Sequence, residues 1–190
     1  MVSGDHLLLV RHGESTWNAD GRLQGQSDPP LSERGRRESV ALRPLLDGFP
    51  PGRVVTSDLA RARETAALLG HPDAVPDARW REIDVGEWAG RPLAELPGGS
   101  EPSWRAGPVV PPGGESWEEL AARVADGIDE LVAAGGPWLV IAHGGVVRAG
   151  AAYVSGGDAR RLAGPANASV TVLARERLLR YAWTPRLLVP

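Results

Sequence analysis

The chain of 190 residues is 42% hydrophobic and 24% charged, with a net charge of −3 and a pI near 5.8. That balance supports one packed domain over residues 1–190 and argues against a general nucleic-acid or membrane-surface binder. Cysteine is absent, which excludes disulfides, thiolate zinc sites and cysteine nucleophiles, and the four histidines are too scattered for a recognisable metal-binding spacing.

Leu7–Val10 is an apolar run of strand length that ends abruptly in Arg11-His12-Gly13-Glu14-Ser15. This reads as a buried strand delivering Arg11 and His12 to its carboxyl end, where open α/β sheets place their chemistry. Met1–Asp5 is short and polar, so no leader peptide is expected and the cytoplasm is the expected location. Asn18–Pro30, rich in Gly, Asp and Pro, reads as a loop. Ser32 is placed to cap a helix over Glu33–Leu46, Val54–Thr56 is a second short strand, and Ser57-Asp58 is placed to cap a helix ending at Leu69. Pro97–Gly114 holds five prolines and five glycines and predicts an irregular surface loop. Ser116-Trp117-Glu118-Glu119 has capping-box spacing for a helix to about Ala134. Trp138–Ala142 is another apolar strand, followed by a helix over Val146–Tyr153, and Ser169–Leu173 and Leu178–Trp183 read as closing strands. The order predicts an α/β fold, a mostly parallel central sheet sandwiched by helices, with an antiparallel edge strand near the C-terminus.

The strand at Trp138–Ala142 also ends in a histidine and glycine, His143-Gly144-Gly145. Two strands ending in His-Gly predict two imidazoles meeting at one site. Ser57-Asp58 through Thr65 lies at a strand-to-helix junction that favours an anion, with Arg61 in the first helical turn and Arg63 on a solvated face. All 21 basic residues are arginine, so every fixed cation offered to a ligand is a guanidinium. Glu82, Asp84 and Glu87 are three carboxylates in one irregular stretch, and spacing does not choose among them.

Leu9–Asn18, Gly21–Gly25 with Asp28–Gly35, Ser57–Ala66, Glu82–Gly90, Pro112–Ser116 and Ile141–Gly145 resemble, in order, the blocks of the histidine phosphatase superfamily, in its phosphoglycerate-mutase-like branch. The resemblance implies the phosphoglycerate-mutase-like fold. It makes His12 the nucleophile, with one ring nitrogen held by a backbone carbonyl, and Glu82 the general acid. Arg11, Arg61 and His143 would surround the phosphoryl oxygens, and Asn18 would add a neutral donor. Beside the resemblance, Gly21–Gly25 is placed to approach the ligand, with Gln24 and Gly144 as candidate substrate contacts. No metal and no cofactor is implied, because phosphoryl transfer needs positioning and charge neutralisation that guanidiniums supply. His12 has to be neutral at its attacking nitrogen whereas His143 helps most as a cation, so the site is expected to push the two imidazoles in opposite directions.

Mutases of the family resemble one another in carrying Lys and paired Arg after the catalytic acid, and between Glu82 and Gly114 this chain has only Arg91 and Arg105. The expectation is a metal-independent phosphomonoesterase acting on a small phosphorylated metabolite. A cofactor-dependent phosphoglycerate mutase is the alternative, and a catalytically silent phospholigand-binding domain a third reading. Residues 83–114 are the expected specificity segment. Neither nucleic acid nor membrane is an expected partner, and the oligomeric state is not legible.

Overall fold

The computed structural model describes residues 6–96, 109–174 and 177–184. Its element order is β1 (His6–Arg11), α1 (Thr16–Ala19), α2 (Glu33–Ala41), α3 (Arg43–Leu46), β2 (Arg53–Thr56), α4 (Ala60–Leu68), β3 (Val75–Pro76), α5 (Trp117–Ala134), β4 (Trp138–Ala142), α6 (Gly144–Ser155), β5 (Ser169–Ala174) and β6 (Arg177–Trp183). The strands form one sheet in the order β3-β2-β4-β1-β5-β6. The pairings among β3, β2, β4 and β1 are parallel, whereas β5 runs antiparallel to β1 and β6 antiparallel to β5. The mostly parallel sheet with an antiparallel end is therefore the arrangement that the chain order predicts.

β1 and β4 are apolar at every central position because both faces of the sheet are covered. Leu7, Leu9, Val140 and Ala142 pack with Leu120, Val124 and Ile128 of α5 and Val146 and Val147 of α6. Leu8, Val10, Leu139 and Ile141 point the other way and pack with Leu42, Leu46, Ala62, Ala66 and Leu69. The strand period of two thus serves both layers at once. No helix among the described residues is long and apolar enough to cross a membrane.

Three local expectations are corrected. The helix over Glu33–Leu46 breaks at Leu42 into α2 and α3, with Pro44 in the first turn of the second piece. Pro44 lacks an N–H and its ring would meet the carbonyl four residues back, so it can begin a helix but not continue one. Ser57-Asp58 does not cap α4. Leu59 is the N-cap residue, and the Ala60 N–H donates to Asp28 Oδ2 at 2.7 Å, an acceptor 32 positions away. Asp58 instead takes both arms of Arg81, at 2.8 and 2.6 Å. The last central helix, α6, begins at Gly144, directly after the histidine, rather than at Val146. The capping box at Ser116 and Glu119 forms as its spacing predicts. Of the Pro97–Gly114 loop, residues 97–108, with Trp104 and Arg105, lie outside the described residues; 109–114 form a turn.

The loop after β1 is fixed by a close approach of backbones. Ser32, which caps α2, donates from its N–H to the Glu14 carbonyl at 2.8 Å and from its hydroxyl to Glu14 Oε1 at 2.7 Å. Gly35 in α2 lies on the backbone of Glu14, where a Cβ would fall on the Glu14 carbonyl and amide. Gly35→Ala is expected to lower the unfolding free energy by about 1–3 kcal/mol, the usual cost of overpacking. Gly48→Ala, which meets no atom within 4 Å, is expected to stay within about 0.5 kcal/mol of the parent. Urea denaturation compares the two, and equal stabilities would show that the α2 contact is not tight.

Candidate active site

The parallel register pairs Arg11 with Ala142 and Thr56 with Ile141, so the residues that leave the sheet next, His12, His143 and Ser57, emerge side by side at the carboxyl edge. The His12 N–H donates to the Ala142 carbonyl at 3.0 Å. The two imidazoles stand edge to face with centroids 5.1 Å apart. His12, His143 and Arg61 are all excluded from solvent.

Hydrogen bonding assigns the His12 tautomer. Its Nδ1 lies 2.6 Å from the Gly13 carbonyl, which only accepts, so Nδ1 carries the proton. Arg61 Nε, which only donates, points at Nε2 from 3.3 Å, so Nε2 presents a lone pair. His143 has a hydroxyl as its partner. Ser57 Oγ accepts from the Leu59 N–H at 3.3 Å and lies 2.8 Å from His143 Nε2. The Ser57 hydroxyl can donate to Nε2 or accept from it; where it donates, the ring proton sits on Nδ1, which is buried and has no hydrogen-bond partner in the structure.

Burial lowers the pKa of His12 well below the ordinary 6.5, reinforced by the Arg61 and Arg11 guanidiniums. His143 is lowered in the same way, by burial first and then by Arg61, His12, Arg11 and Arg123. The expectation that the site drives the two imidazoles apart is thus corrected. Both are buried beside the same cations, which favours the neutral form of each ring in the free protein.

Arg61 is held in place by the loop before α2. Its Nη1 donates to the Ser27 carbonyl at 2.6 Å and its Nη2 to the Gly25 carbonyl at 2.8 Å, with Asp28 Oδ1 3.5 Å from Nη1. Two loop carbonyls and the imidazole thus fix the plane of the fork, and Nη2 keeps one further N–H to give. Arg63 is exposed, as expected, while Glu64 pairs with Arg36 at 2.6 Å.

Arg11, Asn18, Gln24, Glu82 and Gly144 line a cavity with His12 and Arg61. His143 lies just behind this lining, fully buried. Asn18 Oδ1 accepts from the Ser15 N–H at 3.2 Å and from Asn167 Nδ2 at 3.0 Å, which leaves the Asn18 amide nitrogen as its open end. Gln24 Oε1 accepts from the Ser15 hydroxyl at 2.7 Å. The Arg11 guanidinium lies against Gly144, where a Cβ would meet it at 3.5 Å, and donates to the Pro165 carbonyl. Of the three carboxylates only Glu82 reaches the cavity. Its two oxygens each lie 3.1 Å from the Gly145 N–H in the first turn of α6, and Oε1 also accepts from the Ile83 N–H at 2.9 Å. Asp84 closes its own turn by accepting from the Gly86 N–H at 2.9 Å, and Glu87 is exposed.

Several lining or supporting residues escape sequence reasoning. Asn167, in the connection before β5, donates to the carbonyls of His12 and Gly13 at 3.2 and 3.3 Å and so braces the loop that follows β1. Arg22, Arg148 and Trp117 line the cavity, with the Arg148 guanidinium 5.4 Å over the Trp117 ring. Together with Arg11 and Arg61 they place four arginines around one carboxylate. The count of Arg91 and Arg105 in 83–114 therefore does not measure the charge of the pocket. Trp88 packs in the core, and His6 is buried edge-on to Phe49 at 5.3 Å.

The chain is similar to several known proteins. The glucosyl-3-phosphoglycerate phosphatase of Mycobacterium tuberculosis is 36% identical over 160 residues, covering 75% of this chain and 72% of that protein. The metal-independent phosphoserine phosphatase of Arabidopsis thaliana is 35% identical over 160 residues, covering 75% of this chain and 66% of that protein. A protein of Cronobacter sakazakii named "probable phosphoglycerate mutase GpmB" is 35% identical over 149 residues, covering 73% and 69%. The solved mycobacterial glucosyl-3-phosphoglycerate phosphatase complexed with VO3 superposes with a TM-score of 0.84 at 34% identity, covering 95% of this chain and all of that one. The family description "histidine phosphatase superfamily (branch 1)" matches residues 7–180, and the chain belongs to that superfamily.

Proposed function

We propose that this chain is a metal-independent phosphomonoesterase that works through a phosphohistidine on His12 Nε2. The observation that carries the reading is the tautomer: Gly13 holds the Nδ1 proton, so the lone pair on Nε2 faces the Arg61 guanidinium where a phosphoryl group would be neutralised.

In the first step Nε2 attacks phosphorus, the ester P–O bond breaks, and the leaving alkoxide takes a proton from the Glu82 carboxyl. Arg61, Arg11, the Asn18 amide and the waiting Nδ1–H of His143 receive the phosphoryl oxygens. In the second step Glu82 takes a proton from water, the water oxygen attacks phosphorus, and the N–P bond breaks to return the lone pair to Nε2. Because His143 is held neutral, its contribution is a directed N–H rather than a fixed charge, and the cationic work falls to the guanidiniums. Gln24 and Gly144 shape the floor of the site. Ile83, Val85 and Leu93 supply an apolar wall from the segment assigned to specificity.

Four arginines around one carboxylate suit a phosphomonoester with a second anionic group. The phosphoglycerate and phosphoserine named for the relatives are carboxylated compounds of this kind. A carboxylated phosphomonoester is accordingly the substrate class to test first.

Phosphate release across a panel of phosphomonoesters in the presence of EDTA is expected without isomerisation of 3-phosphoglycerate supplied with 2,3-bisphosphoglycerate. Rapid isomerisation with little free phosphate would establish the mutase instead. His12→Ala is expected to lower kcat by on the order of 10⁴-fold or more and to abolish acid-labile labelling by a phosphodonor. Retention of most activity would discard the mechanism, and a parent protein that takes up no label would support the silent binding domain.

A nucleophile with a lowered pKa keeps its lone pair as pH falls, and loses it only when pH drops through that lowered value. Nitrogen NMR of the free protein at about pH 6 is therefore expected to report neutral rings for both His12 and His143. Half-protonation of either ring at or above the ordinary value of 6.5 would contradict the burial of the site.

A further inference from the structure

Glu82 sits in an irregular stretch, Arg81–Val85, that belongs to no helix or strand. The backbone carbonyls of such a segment still need partners when they are turned inward. Here one side chain supplies them. Arg123, on α5, donates from Nη1 to the carbonyls of Arg79 and Arg81, both at 2.7 Å, and from Nη2 to the carbonyl of Glu82 at 3.1 Å. Its remaining donors go to Glu115, from Nε to Oε1 at 2.6 Å and from Nη2 to Oε2 at 2.8 Å. A guanidinium has five N–H donors, and in Arg123 all five are engaged.

Glu115 closes the arrangement from the other side. Its Oε2 accepts from the Asp84 N–H at 3.1 Å, and its own N–H donates to the Asp84 carbonyl at 2.8 Å. Carbonyls just before the carboxylate and the amide two residues after it are thus tied to one ion pair, mounted on a helix anchored in the core by Leu120, Val124 and Ile128. Gly145 holds the head of Glu82, and the ion pair holds its backbone.

We propose that Arg123, oriented by Glu115, is the positioning residue that sets Glu82 for proton transfer to the leaving group. The proposal rests on the assignment of Glu82 as general acid. It accounts for Glu115 in the Pro112–Ser116 block, a residue that the capping role of Ser116 leaves unexplained.

Leaving-group dependence separates positioning of an acid from general support of the fold. An alkyl phosphomonoester such as 3-phosphoglycerate needs a proton on the departing oxygen, whereas p-nitrophenyl phosphate expels a stable phenolate and does not. In kcat/KM, which reports the first transfer, Glu82→Gln is expected to lose about 10²–10⁴-fold on the alkyl substrate and far less on the aryl one. Arg123→Met is expected to follow the same pattern, losing about 10–100-fold on the alkyl substrate and less than about threefold on the aryl one. Trp80, packed on Gly127 of the same helix, still docks the segment in that variant. Glu115→Gln, which keeps the shape and removes the charge, provides a milder test with the same expected selectivity should Arg123→Met fail to fold. Equal losses on both substrates, or none on either, while Glu82→Gln discriminates, would overturn the positioning role. Failure of Glu82→Gln to discriminate would instead remove the acid assignment and, with it, any acid for Arg123 to position.

Discussion

The parallel pairing of β1 with β4 is the constraint on which the rest of the structure depends. Each strand ends in a histidine and a glycine, and the register that opposes Arg11 to Ala142 brings the two imidazoles to 5.1 Å. A slip of one residue would turn Leu8 and Val10 toward the layer that holds Leu7 and Leu9, so burial of both faces fixes the register. The chemistry inherits its alignment from hydrophobic packing. No contact between the histidines themselves is needed to set it.

Burial also decides the charges of the site. Removing water from His12 and His143 disfavours their protonated forms, and the guanidiniums beside them act in the same direction. Arg61 is itself almost wholly buried, and it remains a workable cation because loop carbonyls and an imidazole satisfy its fork. In the proposed function the labour is divided accordingly: the neutral His12 ring offers its Nε2 lone pair, and the fixed guanidiniums offer positive charge. Burial of Arg61 also lowers its own pKa, with Glu82 and Asp28 opposing that effect.

Around this centre the structure repeatedly uses distant side chains to complete local backbone needs. Asp28 caps α4, Asn167 braces the carbonyls of His12 and Gly13, and Arg123 takes up the carbonyls of Arg79, Arg81 and Glu82. Each joins segments far apart in the chain. Together they tie the loops at the carboxyl edge to one another and to the elements beneath them, the kind of bracing that a site working by positioning requires.

The sequence by itself determined the strands that carry the chemistry, because Leu7–Val10 and Trp138–Ala142 are apolar runs with no other stable place than the middle of a covered sheet. It also pointed to His12 and His143 as neighbours, with Arg61 as the candidate cation beside them, since their residue types follow directly on those strands or on a strand-to-helix turn, and the structure brings the three together. It could not separate Glu82 from Asp84 and Glu87, because an irregular stretch has no period that says which side chain faces inward. Arg148, Arg22 and Asn167 were illegible for a related reason: an arginine in a helix or an asparagine in a loop looks the same whether it meets solvent or a cavity. The tertiary structure decided these cases by packing α6 on α5 and folding the connection before β5 over the site. It also reversed the expected charge of His143, because desolvation depends on what surrounds a ring in space and not on its neighbours along the chain.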